Sequence, residues 1–388
     1  MNLQIKNGRI VTPSGINKGT LNLAGGKIAS FGEDFTPDRV IDAEGKYVTP
    51  GFIDIHTHGG GGYDFMDCSE EAFFKAARTH AEHGTTTLLP TLLSASTEEI
   101  FGALSIFEKI KNTPHDGANM PGLHLEGPYF SPKQCGAQDP NQVRRPDPAE
   151  YMKCLDASPS IMRWSAAPEL PGAPEFAREL TRRGILPSIA HTDATYEEVI
   201  PAYEAGFTHI THLYSSMSTV HRIDCFRHAG VLESAFLIDG MTVELIADGC
   251  HLPSSLLTFA TKFKRPDQVA LITDSSRGAG TTDKYFRLGS VKAGMDVVVE
   301  KGVAMLLDHT SFAGSIATFD RLVRTMMTMT SCSLSDIITM STITPATICR
   351  IPNKGLLRPG YDADVVIFDP DVNVSHTIIG GRVVYEAK

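Results

Sequence analysis

Apolar residues in this chain change their spacing twice. Over residues 1–49 they come in short runs broken by turn residues. Leu3-Gln4-Ile5-Lys6 leads into Asn7-Gly8, a dipeptide that favours a hairpin turn, and Gly25-Gly26 separates Thr20-Leu21-Asn22-Leu23 from Lys27-Ile28-Ala29. The far end has the same texture. Ala363 to Phe368 is an apolar run, Asp369-Pro370 a turn, and Thr377-Ile378-Ile379 stops at Gly380-Gly381. Two β-rich ends around a different middle predict one small β-sandwich domain built from both termini, residues 1–49 and 355–388.

The middle, residues 50–354, alternates strand-like and helix-like stretches. Ser96-Thr97-Glu98-Glu99 has capping-box spacing and is followed by Ile100, Leu104 and Phe107 at helical intervals. Thr86 to Leu89 before it and Gly122 to Glu126 after it read as strands. A helix over Glu175 to Arg183 ends at Gly184, and a strand from Ile185 to Ala190 runs into His191. Glu197 to Ala205 is again helical, Thr208 to Leu213 a strand, and Val243 to Ala247 and Val269 to Thr273 repeat the design. Six or more such units predict an α/β protein whose main domain is a (β/α)₈ barrel. Neither a Gly-x-Gly-x-x-Gly fingerprint nor a phosphate-binding Walker loop is present, which argues against a dinucleotide fold.

Composition narrows the class. Hydrophobic residues at 42% and charged residues at 21% over 388 positions allow a large core. A net charge of −10 argues against nucleic acid as partner, although one or two arginines suffice for a phosphate. Seven scattered cysteines without a Cys-x-x-Cys pair predict reduced thiols and a cytoplasmic setting. No apolar run approaches the roughly 18 residues of a membrane span, and the N-terminus lacks the features of a signal peptide.

Chemistry gathers at the predicted strand ends. His56 and His58 stand two apart after an apolar stretch, so on a strand both imidazoles leave the same face. Glu126, His191, His212, His251 and Asp274 each follow a later apolar run, at the end of a barrel where active sites lie. Buried imidazoles and carboxylates are costly unless paired or metal-bound. Nitrogen and oxygen ligands without thiolate suit Zn²⁺ or Fe²⁺ in an open catalytic site, with Mn²⁺ also accepted. Such an ion acidifies bound water and polarises a carbonyl, and Asp274 is placed to move the proton. On the residues alone, the expectation is metal-assisted hydrolysis.

The same residues resemble the amidohydrolase superfamily and, within it, the N-acetylglucosamine-6-phosphate deacetylases. Pro-Gly-Phe-Ile-Asp-Ile-His-Thr-His-Gly at 50–59 is shared widely across the superfamily. His-Leu-Glu-Gly-Pro at 124–128, Thr-His-Leu-Tyr at 211–214, Ile-Ala-Asp-Gly-Cys-His at 246–251, Leu-Ile-Thr-Asp at 271–274 and Phe-Ala-Gly-Ser at 312–315 are more specific. The resemblance implies that Glu126, His191 and His212 hold the principal metal, that retained His56 and His58 allow a second ion, and that Asp274 is general base and then acid, beside the metal. It implies substrate contacts from His251, from the Ala137 backbone, from Phe312, Ala313 and Gly314, and from Gln138, which would help polarise the acetyl carbonyl.

Two positions depart from the family pattern. Asn-Ala-Met after Thr-His-Leu-Tyr is replaced by Ser215-Ser216-Met217, and a serine lacks the reach and second donor of an amide. The phosphate-binding arginine falls in His221 to Gly230, where Arg227 matches the Arg-x-x-Gly frame and Arg222 matches the distance from His212. Arg227 is preferred. In the family that arginine reaches across from a neighbouring subunit, so a homodimer is implied. The leading expectation is hydrolysis of N-acetylglucosamine 6-phosphate to glucosamine 6-phosphate and acetate. Alternatives are preference for N-acetylgalactosamine 6-phosphate, an amidohydrolase acting on a cyclic amide, and a non-catalytic sugar-phosphate sensor. Cys135 has no expected chemical role. His80 and His83 read as cations near a helix C-terminus, and Met326, Met327 and Met329 as core filling.

Overall fold

The computed structural model describes residues 2–387. Eight parallel strands, each followed by a helix, form the central barrel: β1 (Phe52–Thr57), β2 (Thr85–Leu92), β3 (Leu123–Glu126), β4 (Ile161–Ala166), β5 (Leu186–Ile189), β6 (His209–Ile210), β7 (Thr242–Ile246) and β8 (Val269–Ile272). Their order in the sheet is their order in the chain. The ring closes where Asp274 N–H donates to His56 O at 2.9 Å and His58 N–H to Ser275 O at 2.8 Å. Every residue of β1 and β2 is buried. Strands covered on both faces need apolar residues at successive positions, hence the continuous runs in the sequence.

The helices that follow these strands are α1 (Glu70–Glu82), α2 (Thr97–Ile110), α3 (Pro148–Ala157), α4 (Ala173–Arg182), α5 (Tyr196–Ala205), α6 (Val231–Leu237), α7 (Ser254–Phe263) and α8 (Phe319–Met329), with Leu334–Ser341 and Ile343–Ile348 helical beyond them. α2 begins as its sequence dictates. Ser96 Oγ accepts from Glu99 N–H at 3.3 Å and Glu99 Oε2 accepts from Ser96 N–H at 3.1 Å, an arrangement that stabilises a helix start by about 1 kcal/mol. Ile100, Leu104 and Phe107 then face the core. Met326 of α8 is fully buried, with Met327 and Met329 packed at its margin.

A second sheet draws strands from both ends of the chain. Its order is Arg382–Glu386, Val374–Ile379, Val365–Phe368, Tyr47–Pro50, Leu3–Thr12, Gly15–Ala24, Lys27–Phe31, with Arg39–Asp42 also paired to Leu3–Thr12. Leu3, Ile5, Leu21, Ile41, Val365 and Ile378 belong to its own core, giving a small β-sandwich beside the barrel. Asn7-Gly8 is not the hairpin turn its sequence suggests. Asn7 takes φ 56°, and the pairing register shifts between Ile5 and Gly8, so the dipeptide makes a bulge within one strand. A Cβ on Gly8 would come within 2.5 Å of Val48 Cγ2. The turn falls at Pro13-Ser14 instead, where Thr12 pairs with Gly15.

Two insertions rise above the barrel mouth. Between β6 and α6 is a hairpin, His221–Ile223 paired with Phe226–His228. Between β8 and α8 is an antiparallel sheet of Tyr285–Leu288, Met295–Glu300 and Val303–Leu306. No helix among the described residues is long and apolar enough to cross a membrane.

Candidate metal centre

At the C-terminal ends of the strands the chain leaves extended geometry abruptly. His191, His212 and Asp274 all have positive φ (46°, 29° and 47°), a region that non-glycine residues seldom occupy. This is why the strand expected over Thr208 to Leu213 is regular only at His209–Ile210: the backbone turns to aim His212 over the barrel axis. Strain of this kind concentrates at functional sites.

Five side chains converge there. His56 and His58 bring their Nε2 atoms within 3.3 Å of each other, and those of His191 and His212 are 3.2 Å apart. Glu126 lies between the pairs, with Oε1 at 3.0 Å from His212 Nε2 and 3.4 Å from His191 Nε2, and Oε2 at 3.4 Å from His58 Nε2. His56, His58 and Glu126 have donor atoms within 4.8 Å of one another, as do Glu126, His191 and His212. One carboxylate is therefore common to two potential cation sites.

The far sides of two of the rings test the fit. His58 Nδ1 faces Thr91 O at 3.2 Å and His191 Nδ1 faces Gln134 O at 2.9 Å. A carbonyl only accepts, so these rings carry their protons on Nδ1 and present Nε2 lone pairs to the common centre. Lone pairs and carboxylate oxygens at such distances repel unless positive charge lies among them. Electrostatics agree. Burial alone would lower His56, but the charges of Glu126 and Asp274 outweigh it and hold it up at about 9. Burial likewise opposes the ionised form of Glu126, yet the charge of His56 and the close contacts of His191 and His212 keep it well below the usual carboxylate range. Asp274 is held low by His56 and His58 against its burial. This nitrogen-and-oxygen donor set fits a divalent metal ion.

A cavity of about 290 Å³ opens over the cluster. Of the residues singled out in the sequence, His58, Glu126, His191, His212 and Asp274 line it, together with Ala137, Gln138, Ser215, Ser216, His251, Phe312 and Gly314. His56 lies beneath them, fully buried. Gly136 sits where a Cβ would approach Ser216 Oγ to 2.6 Å and its φ is +59°, so the loop carrying Ala137 can reach the site only with glycine there. His251 Nδ1 is 2.9 Å from Asp248 Oδ2, and its ring packs against Phe312 with centroids 4.8 Å apart.

The expectations for Ala313 and His80 need correction. Gln138 lines the cavity and also directs an amide N–H to Glu126 Oε2 at 2.8 Å. Ala313 is fully buried outside the cavity lining, its N–H bonded to Ala304 O at 3.0 Å. Arg222 and Arg227 lie on the exposed hairpin and do not line this chain's cavity. His80 is no terminal cation. Burial lowers it to about 4, and the neutral ring ties Gly59 O at 2.9 Å to Thr57 Oγ1 at 3.2 Å. His83 does meet a carboxylate, Asp320, at 3.2 Å. Cys135 has its thiol pKa raised by burial and donates to Gln138 O at 3.0 Å.

The sequence reading passed over Leu93, Tyr214, Leu288 and Ser311 in the cavity wall, and Arg163 and Glu244 below it. The first four carry no signal of their own chemistry in one sequence, although Tyr214 closes the Thr-His-Leu-Tyr motif. The last two did: each is a lone charge inside an apolar barrel strand, and the two charges have opposite sign.

Comparison with known proteins bears on this geometry. The family model described as Amidohydrolase family matches residues 47–384. An N-acetylglucosamine-6-phosphate deacetylase of Lysinibacillus sphaericus is 33% identical over 99% of this chain and 98% of its own. An N-acetylgalactosamine-6-phosphate deacetylase of Escherichia coli O157:H7 is 30% identical over 96% and 97%. Among solved structures, a mutant N-acetyl-D-glucosamine-6-phosphate deacetylase from Mycobacterium smegmatis, in complex with N-acetyl-D-glucosamine 6-phosphate, superposes with a TM-score of 0.89 at 30% identity, covering 99% of both chains.

Proposed function

The chain belongs to the amidohydrolase family, and from that premise we propose that it hydrolyses N-acetylglucosamine 6-phosphate to glucosamine 6-phosphate and acetate. The observation that carries this reading is Asp274. Its Oδ1 stands 3.1 Å from His58 Nε2 in a cavity whose wall combines hydroxyls, an amide, His251 and two aromatic rings with the apolar Leu93 and Leu288, which suits a sugar amide.

Glu126, His191 and His212 would hold one divalent ion, and His56 and His58 with Glu126 a second; such an ion supplies polarisation of the amide carbonyl and acidification of water. Zn²⁺ is the first choice, with Fe²⁺ or Mn²⁺ the alternatives. Asp274, ionised at neutral pH, takes a proton from the attacking water and returns it to the amide nitrogen as the C–N bond breaks. Acetate and the free amine leave, and Asp274 ends unprotonated. His251, fixed by Asp248, presents Nε2 to the sugar or the tetrahedral carbon's oxygen. The Ala137 backbone, Ser215 and Ser216 bind hydroxyls, and Phe312 and Gly314 lie along the ring.

The phosphate falls to an arginine outside this chain's own cavity. Arg222 and Arg227 project on a hairpin that also exposes Ile223 and Phe226, the latter 75% exposed. Such a surface supports a homodimer in which the hairpin of one subunit reaches the cavity of the other, Arg227 contacting phosphate.

The decisive experiment measures acetate released by metal-replete protein from N-acetylglucosamine 6-phosphate, its unphosphorylated form and the galacto epimer. Preference for the phosphorylated gluco sugar is expected. Turnover of the galacto epimer alone would assign Ser215-Ser216 to a retuned pocket, and no acetate from any of them would sink the assignment.

A further inference from the structure

Beneath the metal centre two charged side chains face each other in the barrel interior, and the reaction uses neither. Arg163 on β4 and Glu244 on β7 are both fully buried, and Arg163 Nη1 pairs with Glu244 Oε1. The guanidinium is fixed further by donating from Nε to Ser188 Oγ at 2.9 Å and from Nη2 to Thr211 Oγ1 at 2.7 Å. An ion pair buried this deeply gives little net stability, because desolvating both charges offsets their attraction; apolar residues of similar volume fill a core as well. Its presence calls for another reason.

Glu244 Oε2 supplies one. It accepts from Nδ1 of His56 at 3.2 Å and from the backbone N–H of His212 at 3.1 Å. His56 belongs to one donor group and His212 to the other. His58 and His191 rest their Nδ1 atoms on backbone carbonyls, which the fold provides in any case. His56 instead rests on a side-chain carboxylate. A carboxylate at that position fixes the proton on Nδ1, aims the Nε2 lone pair and makes the ring a better ligand. Arg163 holds the carboxylate in place from the opposite side.

We propose that Glu244, anchored by Arg163, is the positioning residue that makes His56, His58 and Glu126 a second cation site and ties it mechanically to the first. The inference rests on the metal-centre reading and is independent of the substrate, so metal counts made without substrate separate its failure from that of the deacetylase assignment.

The test is metal titration of chelator-stripped protein with Zn²⁺ at buffered free concentrations, with ions per chain read by elemental analysis and folding checked by circular dichroism. Wild type is expected to take up two ions. Glu244→Gln should weaken the second ion about 10- to 100-fold while the first is retained, matching His56→Asn, which removes the ligand itself. Because Glu244→Gln leaves Arg163 without its counter-charge, the double variant Arg163→Met/Glu244→Gln is titrated alongside and should show the same selective loss. Two ions bound with wild-type affinity by a folded Glu244 variant, single or double, would overturn the proposal. So would a wild-type chain that never takes more than one.

Discussion

Gln138 donates from Nε2 to Glu126 Oε2 at 2.8 Å, and its own carbonyl accepts the backbone N–H of Ser94 at 2.9 Å. The amide thus pins the one carboxylate shared by both donor groups to the loop after β2. Gln138→Met keeps the volume and removes the donor. Metal affinity is expected to fall on the order of tenfold, with catalysis following metal content. Metal per chain after dialysis against buffered Zn²⁺ checks this, and undiminished retention would return Gln138 to a purely substrate-facing role.

Asp274 separates chemistry from metal binding. Asp274→Asn preserves shape but cannot accept the proton of the attacking water. The expected result is loss of about 10²- to 10⁴-fold in kcat with the ion on Glu126, His191 and His212 retained. Parallel measurement of turnover and metal content tests the division of labour; loss of both in equal measure would make Asp274 chiefly a ligand.

The legible parts of this molecule were those written locally. Ser96 and Glu99 cap α2 as their spacing demands, and the apolar runs of β1 and β2 reflect burial on both faces. His56 and His58, Glu126, His191, His212 and Asp274 could be found because each interrupts an apolar strand at its end, the position barrel geometry reserves for chemistry. Asn7-Gly8 misled because a left-handed asparagine serves a bulge as readily as a turn, and only the pairing of Leu3–Thr12 with its three neighbours decides between them. His80 was misjudged, and the contact made by Gln138 missed, for a related reason. Which partner a polar side chain meets depends on residues far away in the chain, here Glu126 for Gln138 and Gly59 for His80.

The exposed hairpin yields a split between binding and chemistry. Arg227→Met is expected to raise KM for N-acetylglucosamine 6-phosphate about 10- to 100-fold, the worth of a charge-assisted phosphate contact, with kcat changed only a few-fold. Arg222→Met should have the smaller effect. The unphosphorylated sugar, which has nothing for either arginine to hold, should be turned over equally by all three proteins. A larger KM effect from Arg222→Met would exchange the two assignments.

Acid sensitivity has an identifiable source in His80. Its ring is wholly buried, its Nδ1 has no hydrogen-bond partner among the described residues, and burial depresses its pKa to about 4. An unfolded chain protonates the same ring near 6.5. Between those values the unfolded state binds the extra proton, so this group's contribution is fully present above pH 6.5 and is lost as pH falls toward 4, by an amount on the order of 3 kcal/mol. His80→Gln keeps a donor for Gly59 O and cannot titrate. The stability difference between wild type and His80→Gln should therefore shift against wild type as pH drops through this window, whatever the other groups do. Trp164 offers the readout. It is the sole tryptophan, fully buried and stacked on Tyr129 with centroids 5.7 Å apart, so its emission moves to longer wavelength on unfolding. Parallel denaturation curves at pH 7 and pH 4.5 that leave the wild-type and His80→Gln difference unchanged would show that the buried ring finds a proton acceptor on acidification.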